Sequence, residues 1–196
     1  MESPPITTVL LDLDGVLVDL ARGILELYHV PDPDTWLPEL TSFDGLARLV
    51  SKANPHGMSV TQEGLWATVG HRGADFWAGL RPTPWAQQIL DTCTSRAEVA
   101  ICSKPLDRDP GSAAGKLVWC EQYLPKSVHR VLTAEKWLLA KPTTLLVDDC
   151  PGHIGSFVRE GGQGFAWPTW WNGGGGEPHH AEQALERLAA RLGARP

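Results

Sequence analysis

Residues 6–15, ITTVLLDLDG, decide the fold of this chain. An apolar, β-branched run ends there in Asp12 and Asp14, and Gly15 follows. A short apolar run of this kind is typical of a strand buried in a parallel sheet. Two carboxylates at the end of a buried strand are unfavourable without a partner, and a divalent cation would offset most of that cost. The alternative is an acid-rich turn in which Asp14 and Gly15 are the turn residues.

The chain from Trp85 onward alternates short apolar runs with helical patterns. This alternation predicts βαβ units and an α/β fold, a doubly wound parallel sheet. Such a sheet brings the carboxyl ends of its strands to one edge, where ligands bind. Strands are predicted at 97–102, 128–132, 145–147 and 164–167, and helices at 85–95, 112–124, 135–139, 154–159 and 181–192.

The segment between the first strand and Trp85 has a different composition, rich in proline, tryptophan and glycine. Helices are predicted within it at 19–28 and near 43–52. We therefore predict a small, mainly helical cap at residues 18–84, inserted after the first strand. Residues 1–17 and 85–196 would form the core.

Polar residues end two further predicted strands. Ser103 follows one, and the adjacent pair Asp148 and Asp149 ends another. Neighbouring carboxylates repel each other, and a metal ion would relieve that repulsion. Each has a simpler explanation: a turn hydroxyl for Ser103 and a helix N-cap for Asp149. Lys136 could neutralise phosphate charge or be a solvated lysine, and Lys141 competes with it for the first role.

Composition limits the partners that the protein can have. The chain carries 17 Lys and Arg against 23 Asp and Glu, a net charge of -6, and no basic block stands out. An extended nucleic-acid surface is therefore not expected. No apolar run is long enough to span a membrane, and the N-terminus lacks the features of a signal peptide, so we expect a cytoplasmic protein. Four cysteines without metal-binding spacing are expected to be free thiols: Cys93, Cys102, Cys120 and Cys150.

Four motifs occur in a fixed order along the chain: DLDGVLVD at 12–19, ICSKP at 101–105, TAEK at 133–136 and LLVDD at 145–149. In this order they resemble the motifs of the haloacid dehalogenase-like (HAD) phosphatases. The chain is similar, more narrowly, to the 5′(3′)-deoxyribonucleotidases. An ordered set of motifs is far more specific than any single one.

The resemblance implies a role for each polar residue at the sheet edge. Asp12 would attack phosphorus and become an aspartyl-phosphate. Asp14 would protonate the leaving alkoxide and then activate water. Ser103 and Lys136 would bind the phosphoryl group. Lys104 stands where the family often has a second hydroxyl, and it could supply positive charge there.

The resemblance also implies a magnesium cofactor. Asp12 and the backbone carbonyl of Asp14 would hold Mg²⁺. Asp149 would be the direct ligand of its pair, with Asp148 behind it. The metal would screen the repulsion between an anionic nucleophile and an anionic substrate.

The implied substrate is a small phosphomonoester, and a nucleotide fits the family best. Phe76 and Trp77 lie where the family places aromatic residues near the base, although core packing explains them equally well. Lys116 matches a family lysine that binds substrate. Ala134 and Asp107 replace basic residues of the nucleotidase group and favour a different substrate, such as a sugar phosphate.

Two further readings come from other functional classes. A protein that binds metal and phosphate without turnover is disfavoured because both Asp12 and Asp14 are present. A dehalogenase is weaker still, since its chemistry needs no magnesium. Trp170 and Trp171 are read as packing or oligomer contacts, which leaves a homodimer open. The seven histidines form no recognisable site.

Overall fold

The computed structural model describes residues 4–107, 109–174 and 176–193. Five parallel strands form one sheet in the order β3-β2-β1-β4-β5. Helices pack on both sides of this sheet, so the predicted α/β fold class is confirmed. The strands are β1 (Thr8–Leu11), β2 (Glu98–Ser103), β3 (His129–Leu132), β4 (Thr144–Asp148) and β5 (Gln163–Ala166).

Nine α-helices and four short 3-10 helices connect and flank the strands in the described part of the chain. The 3-10 helices span Leu37–Glu39, Phe43–Gly45, Lys136–Leu139 and Trp170–Asn172. The α-helices are α1 (Leu20–Leu27), α2 (Pro33–Trp36), α3 (Leu46–Ala53), α4 (Gln62–Arg72), α5 (Ala74–Ala78), α6 (Ala86–Thr94), α7 (Pro110–Tyr123), α8 (Pro151–Arg159) and α9 (Pro178–Leu192).

The two faces of the central strand β1 explain why the sequence ITTVLLDLDG is largely apolar up to Asp12. Successive side chains of a strand face opposite sides of the sheet. Val9 and Leu11 belong to the larger core cluster, while Leu10 belongs to a second cluster with Phe157 of α8. Helices thus cover both faces, and the strand has no polar side.

Strand register brings the polar ends together. Leu11 lies opposite Ile101 of β2 and Val147 of β4. Because all three strands run in the same direction, the residues that follow them emerge at one edge of the sheet. Asp12 and Asp148 therefore leave neighbouring strands side by side.

The segment between β1 and β2 is helical, and its two ends lie next to each other. Val18 and Pro82 form an antiparallel bridge. The backbone amide of Thr83 donates to the carbonyl of Leu17 at 2.8 Å. This pairing supports the division at residues 18–84, which stays a prediction.

Three helices begin earlier than the sequence patterns indicate. Helices α7, α8 and α9 start at Pro110, Pro151 and Pro178, ahead of the predicted 112, 154 and 181. Proline suits the first position of a helix because its φ is already helical and no amide hydrogen is needed there. Gly175 of the glycine run and residues 1–3 and 194–196 of the predicted core lie outside the described residues. No helix within the described ranges is long and apolar enough to cross a membrane.

Helices α5 and α7 approach each other closely because glycines lie at their contact. A Cβ atom on Gly115 would lie 2.3 Å from the backbone oxygen of Ala74 and 2.5 Å from Cβ of Trp77. A Cβ atom on Gly111 would meet the backbone of residues 73–74 at 2.8 Å. This contact fixes Trp77 beside Lys116, whose ammonium lies 5.2 Å from the indole ring centre.

We predict that Gly115→Ala lowers the free energy of unfolding by about 1–3 kcal/mol, because overpacking forces the two helices apart. Gly70→Ala is the matched control, since Gly70 also lies in a helix but a Cβ atom there has nothing within 4 Å. That control should be neutral or stabilising by up to about 1 kcal/mol. Urea unfolding of both variants measures the difference, and equal stabilities would contradict the close packing.

Candidate active site

Three carboxylates meet at the carboxyl edge of the sheet. Asp12 follows β1, Asp148 ends β4, and Asp149 comes next in the chain. All three are buried, at 5%, 0% and 8% exposure. One oxygen from each lies within 4.8 Å of the other two. The predicted convergence of Asp12 and Asp149 is therefore present in the structure.

Lys136 joins two of these carboxylates. It opens the 3-10 helix after β3, and its ammonium lies 3.0 Å from Asp12 Oδ1 and 2.6 Å from Asp148 Oδ2. The residue is only 1% exposed. Burial alone would lower the pKa of Lys136, but the charges of Asp12 and Asp148 outweigh it and raise that pKa. Lys136, rather than Lys141, is thus the lysine that contacts the buried carboxylates Asp12 and Asp148.

Asp148 is held from several sides. Its Oδ1 accepts a hydrogen bond from the backbone amide of Cys150 at 2.8 Å. His153 Nδ1 lies 3.1 Å from Oδ2, the oxygen that also faces Lys136. Burial acts to raise the pKa of Asp148, yet the His153 hydrogen bond and the Lys136 charge bring it below the ordinary value. Asp148 is thus an anchored, ionised carboxylate.

Asp149 has a different environment from its neighbour. The indole of Trp171 donates to its Oδ2 at 2.5 Å, and Asn172 Nδ2 donates to its backbone oxygen at 2.9 Å. Burial, and then the charges of Asp12 and Asp148, raise the pKa of Asp149 well above its ordinary value.

Gly15 makes room for this carboxylate. Its φ is +77°, in the left-handed region that favours glycine, and an added Cβ would lie 2.9 Å from Asp149 Cγ. The same Cβ would lie 2.7 Å from the Trp171 indole. A side chain at this position would therefore displace Asp149.

The donor set fits a hard divalent cation. Burial raises the pKa of Asp12 even though Lys136 opposes that effect, and the pKa of Asp149 is raised as well. Close carboxylates whose ionisation is disfavoured in this way are stabilised by a cation with oxygen preference, such as Mg²⁺. The Asp14 carboxylate is not part of this cluster, and the predicted role of its backbone carbonyl stays a prediction.

Lys116 instead holds the Asp14 carboxylate. Its ammonium donates to Asp14 Oδ2 at 2.5 Å, to Ser103 Oγ at 3.0 Å and to the backbone oxygen of Lys104 at 2.9 Å. Lys116 is 2% exposed and Ser103 is fully buried. The lysine expected to bind substrate thus lies among the polar residues at the strand ends.

A cavity of about 460 Å³ opens in front of these residues. Asp12, Asp14 and Asp149 are at its polar end, and Lys104 is also exposed to it. The remaining wall is largely apolar. Four aromatic residues contribute to that wall: Phe43, Trp66, Trp77 and Trp171.

The two adjacent aromatic residues predicted near the substrate separate in the structure. Trp77 lines the cavity with the carboxylates, and its indole donates to Asp109 Oδ2 at 3.0 Å. Phe76 lines another cavity, next to Arg22 and His71. The structure thus brings Trp77 to the carboxylates, but not Phe76.

Lys104 has an acidic partner at the mouth of the site. Its ammonium lies 3.1 Å from Asp107 Oδ2, and both side chains are exposed. Such a surface pair contributes little to stability and is easily broken. Lys104 therefore remains free to exchange this carboxylate for an anionic ligand.

Sequence reasoning missed four residues of the site. Trp171 packs against the core, as predicted, but it also donates a hydrogen bond to Asp149 and lines the cavity, which the sequence does not indicate. His153 belongs to a polar cluster around Asp148, whereas no histidine had been assigned a site. Phe43 and Trp66 stack with ring centres 5.9 Å apart. The spacing of His153, four residues after Asp149 in the first helical turn, was the available signal.

Comparison with solved structures defines the fold class. A HAD-superfamily hydrolase from Geobacter sulfurreducens aligns with a TM-score of 0.51 at 18% identity, covering 93% of this chain and 96% of that one. A dehalogenase aligns with a TM-score of 0.53 at 15% identity, covering 97% and 98%. The chain has the HAD-like α/β fold.

The family model for "5' nucleotidase, deoxy (Pyrimidine), cytosolic type C protein" matches residues 5–161. The chain belongs to this family, and the resemblance stated from the motifs is confirmed. All four motifs lie within the matched residues.

Curated relatives include the mitochondrial 5'(3')-deoxyribonucleotidases of Homo sapiens and Mus musculus. They are 28% and 27% identical over 154 residues, which is 76% of this chain. The matched region spans 64% and 66% of their own length. Both relatives are described as mitochondrial, and the cytoplasmic location of this chain stays a prediction.

We predict that Cys150 is the thiol that reacts first with alkylating reagents. It is partly exposed, and its hydrogen bond with His153 lowers its pKa, so more thiolate is present at neutral pH. Burial raises the pKa of Cys93 and Cys102 to about 12 and also raises that of Cys120. Timed iodoacetamide labelling with mass spectrometry should modify Cys150 at least about tenfold faster. Earlier labelling of a buried cysteine would contradict this order.

Proposed function

We propose that the protein is a magnesium-dependent phosphomonoesterase that hydrolyses nucleoside monophosphates through an aspartyl-phosphate on Asp12. One observation carries the proposal. A buried carboxylate, paired with the buried Lys136, lines a cavity whose remaining wall is largely apolar and includes four aromatic side chains. The polar end suits a phosphate, and the aromatic walls suit a base.

Asp12 is positioned as a nucleophile. Its Oδ1 accepts hydrogen bonds from the backbone amide of Leu13 at 2.8 Å and is 3.0 Å from Lys136. These contacts fix the carboxylate and leave Oδ2 to attack phosphorus. As the new bond from oxygen to phosphorus forms, the ester bond to the leaving alkoxide breaks.

Asp14 is the proposed acid and base. In its protonated form it delivers a proton to the leaving alkoxide. The resulting carboxylate then accepts a proton from the water whose oxygen bonds to phosphorus as the bond from Asp12 oxygen to phosphorus breaks. Inorganic phosphate and free Asp12 result. The contact of Asp14 with Lys116 holds this carboxylate at the cavity wall, apart from the cluster of Asp12, Asp148 and Asp149.

Asp12 and Asp149 would hold Mg²⁺, with the backbone carbonyl of Asp14 as a third ligand. The bound ion would lower the repulsion between Asp12 and the phosphate dianion. Asp148 is occupied by Lys136, Cys150 and His153, which suits a supporting role. It would keep Lys136 directed at the attacked phosphoryl group.

The phosphate would also need cationic partners outside the carboxylates. Lys136 and Lys104 are the proposed ones, and Lys104 would leave Asp107 to reach the phosphate. Ser103 Oγ accepts a hydrogen bond from Lys116. Its proposed part is to keep this bond while its hydroxyl group faces the phosphate.

Aromatic walls favour a nucleotide over a sugar phosphate. Phe43 stacks with Trp66 and lies edge-on to Trp171, with ring centres 5.8 Å apart. A nucleobase offers a π-face to such side chains, and each stack is worth roughly 1–3 kcal/mol. A sugar would bring hydroxyl groups into this wall, where few polar groups could pair with them.

We predict that Asp12→Asn loses at least about a thousandfold in kcat with deoxynucleoside monophosphates, because the amide is a poor nucleophile. Phosphate release in the presence of Mg²⁺ measures the loss. Asp91→Asn is the matched control, since Asp91 is exposed on α6 and does not line the cavity. Circular dichroism checks that both variants fold. Parental activity in Asp12→Asn would exclude the mechanism.

We further predict that the enzyme prefers deoxynucleoside monophosphates to glucose 6-phosphate, and that Trp66→Leu raises KM for the nucleotides by about tenfold or more. The sugar phosphate should be little affected, because it makes no stack with this residue. Phe76→Leu is the comparison, since Phe76 lines the other cavity. Equal turnover of both substrate classes would contradict the nucleotide assignment. An equal rise of KM in Phe76→Leu would instead support the sequence-based prediction that Phe76 lies near the base.

A further inference from the structure

A second group of metal-binding atoms lies beside the carboxylate cluster. Asp148, Cys150 and His153 each offer one ligand atom, and these atoms lie within 4.8 Å of one another. The group shares only Asp148 with the cluster of Asp12, Asp148 and Asp149. It combines oxygen, sulfur and nitrogen, whereas the first cluster offers only oxygen.

Local backbone structure creates this group. Asp148 ends β4, Cys150 is the N-cap residue of α8, and His153 lies in the first turn of that helix. Pro151 fixes the start of the helix, and residues three apart share one side of it. Cys150 and His153 are therefore held near each other and near Asp148 by the strand-to-helix turn.

The present hydrogen bonds show how a cation would enter. His153 Nδ1 lies 3.3 Å from Asp148 Oδ1 and 3.1 Å from Oδ2, within reach of a hydrogen bond from a protonated Nδ1. Lys136 holds Oδ2 at 2.6 Å, and the Cys150 amide holds Oδ1 at 2.8 Å. A cation can replace the proton while Lys136 and the amide keep the carboxylate in place.

The donor atoms select the kind of cation. Thiolate and imidazole prefer borderline and soft metals such as Zn²⁺, whereas Mg²⁺ prefers oxygen alone. Cys150 and His153 both line the 460 Å³ cavity. A fourth ligand, water or an anion, can therefore reach the metal from the cavity, as in open zinc sites.

We propose that Asp148, Cys150 and His153 form a second cation site, selective for Zn²⁺ or a similar borderline metal and distinct from the magnesium site. Binding forms bonds from the metal to the carboxylate oxygen, to Sγ and to Nδ1. The protons on Sγ and Nδ1 leave to solvent, and no oxidation is involved. The site does not depend on the proposed reaction, because its ligands are outside the attack on phosphorus.

Titration calorimetry with Zn²⁺ tests the site directly in the 196-residue chain, in buffer saturated with Mg²⁺. One zinc per chain should bind, because magnesium occupies the oxygen cluster. Co²⁺ is the second probe, since a thiolate ligand adds a near-ultraviolet charge-transfer band. These readouts report binding rather than turnover, so they stay interpretable if the proposed phosphatase activity fails.

Three variants identify the ligands. Cys150→Ser should abolish the cobalt band, and Cys150→Ser and His153→Gln should each weaken Zn²⁺ binding by at least about tenfold. His179→Gln is the matched control, because Glu177, His179 and His180 form another cluster on the exposed start of α9. It should leave the band and the affinity unchanged. Thermal melts confirm that each variant folds.

Three outcomes would overturn the proposal. One is a cobalt band or Zn²⁺ affinity that survives Cys150→Ser. Another is loss of binding in His179→Gln, which would place the zinc at the start of α9. The third is an absence of Zn²⁺ binding in the magnesium-saturated buffer, which would show that no site separate from the oxygen cluster exists.

Discussion

The buried ion pairs of Lys136 are the interaction on which the rest of the site depends. One ammonium joins Asp12 after β1 to Asp148 at the end of β4, and the lysine itself follows β3. Three separate parts of the sheet edge are thereby held in one arrangement. Removing one partner of such a buried network is strongly destabilising, because it leaves a charge without compensation. The same lysine therefore holds both the proposed nucleophile, Asp12, and the strand ends around it in position.

Around these ion pairs the site has a polar side and an apolar side, which are built from different parts of the chain. The polar side is built from backbone amides, lysines and carboxylates at strand ends, so its geometry follows from sheet register. The apolar side is built from rings on segments far apart in sequence. Phe43, between β1 and β2, contacts Trp171, and Trp171 in turn holds Asp149. A shift of the segment between β1 and β2 would thus reach a proposed metal ligand through two side chains.

The polar side was predictable from sequence, and most of the apolar side was not. Apolar runs ending in acids identify β1 and β4 because both strands are buried on both faces, and parallel register then requires their ends to meet. Nothing local shows that Trp66 or Trp171 faces a cavity, since an aromatic residue in a core has the same sequence pattern. Phe76 and Trp77 illustrate the difficulty. Adjacent residues on a helix point in different directions, and their rings are 5.4 Å apart and nearly perpendicular, so only one of them reaches the cavity of the carboxylates.

The bridge between Val18 and Pro82 has a consequence for how such proteins diversify. Because the segment between β1 and β2 leaves and rejoins the core at neighbouring points, its length and content can change without shifting the strands on either side. Selection can then exchange the aromatic lining for another while the hydrolytic chemistry at the strand ends stays untouched. The backbone pairing of residues 17–18 with 82–83 thus allows the lining of the cavity to change independently of the carboxylates at the strand ends.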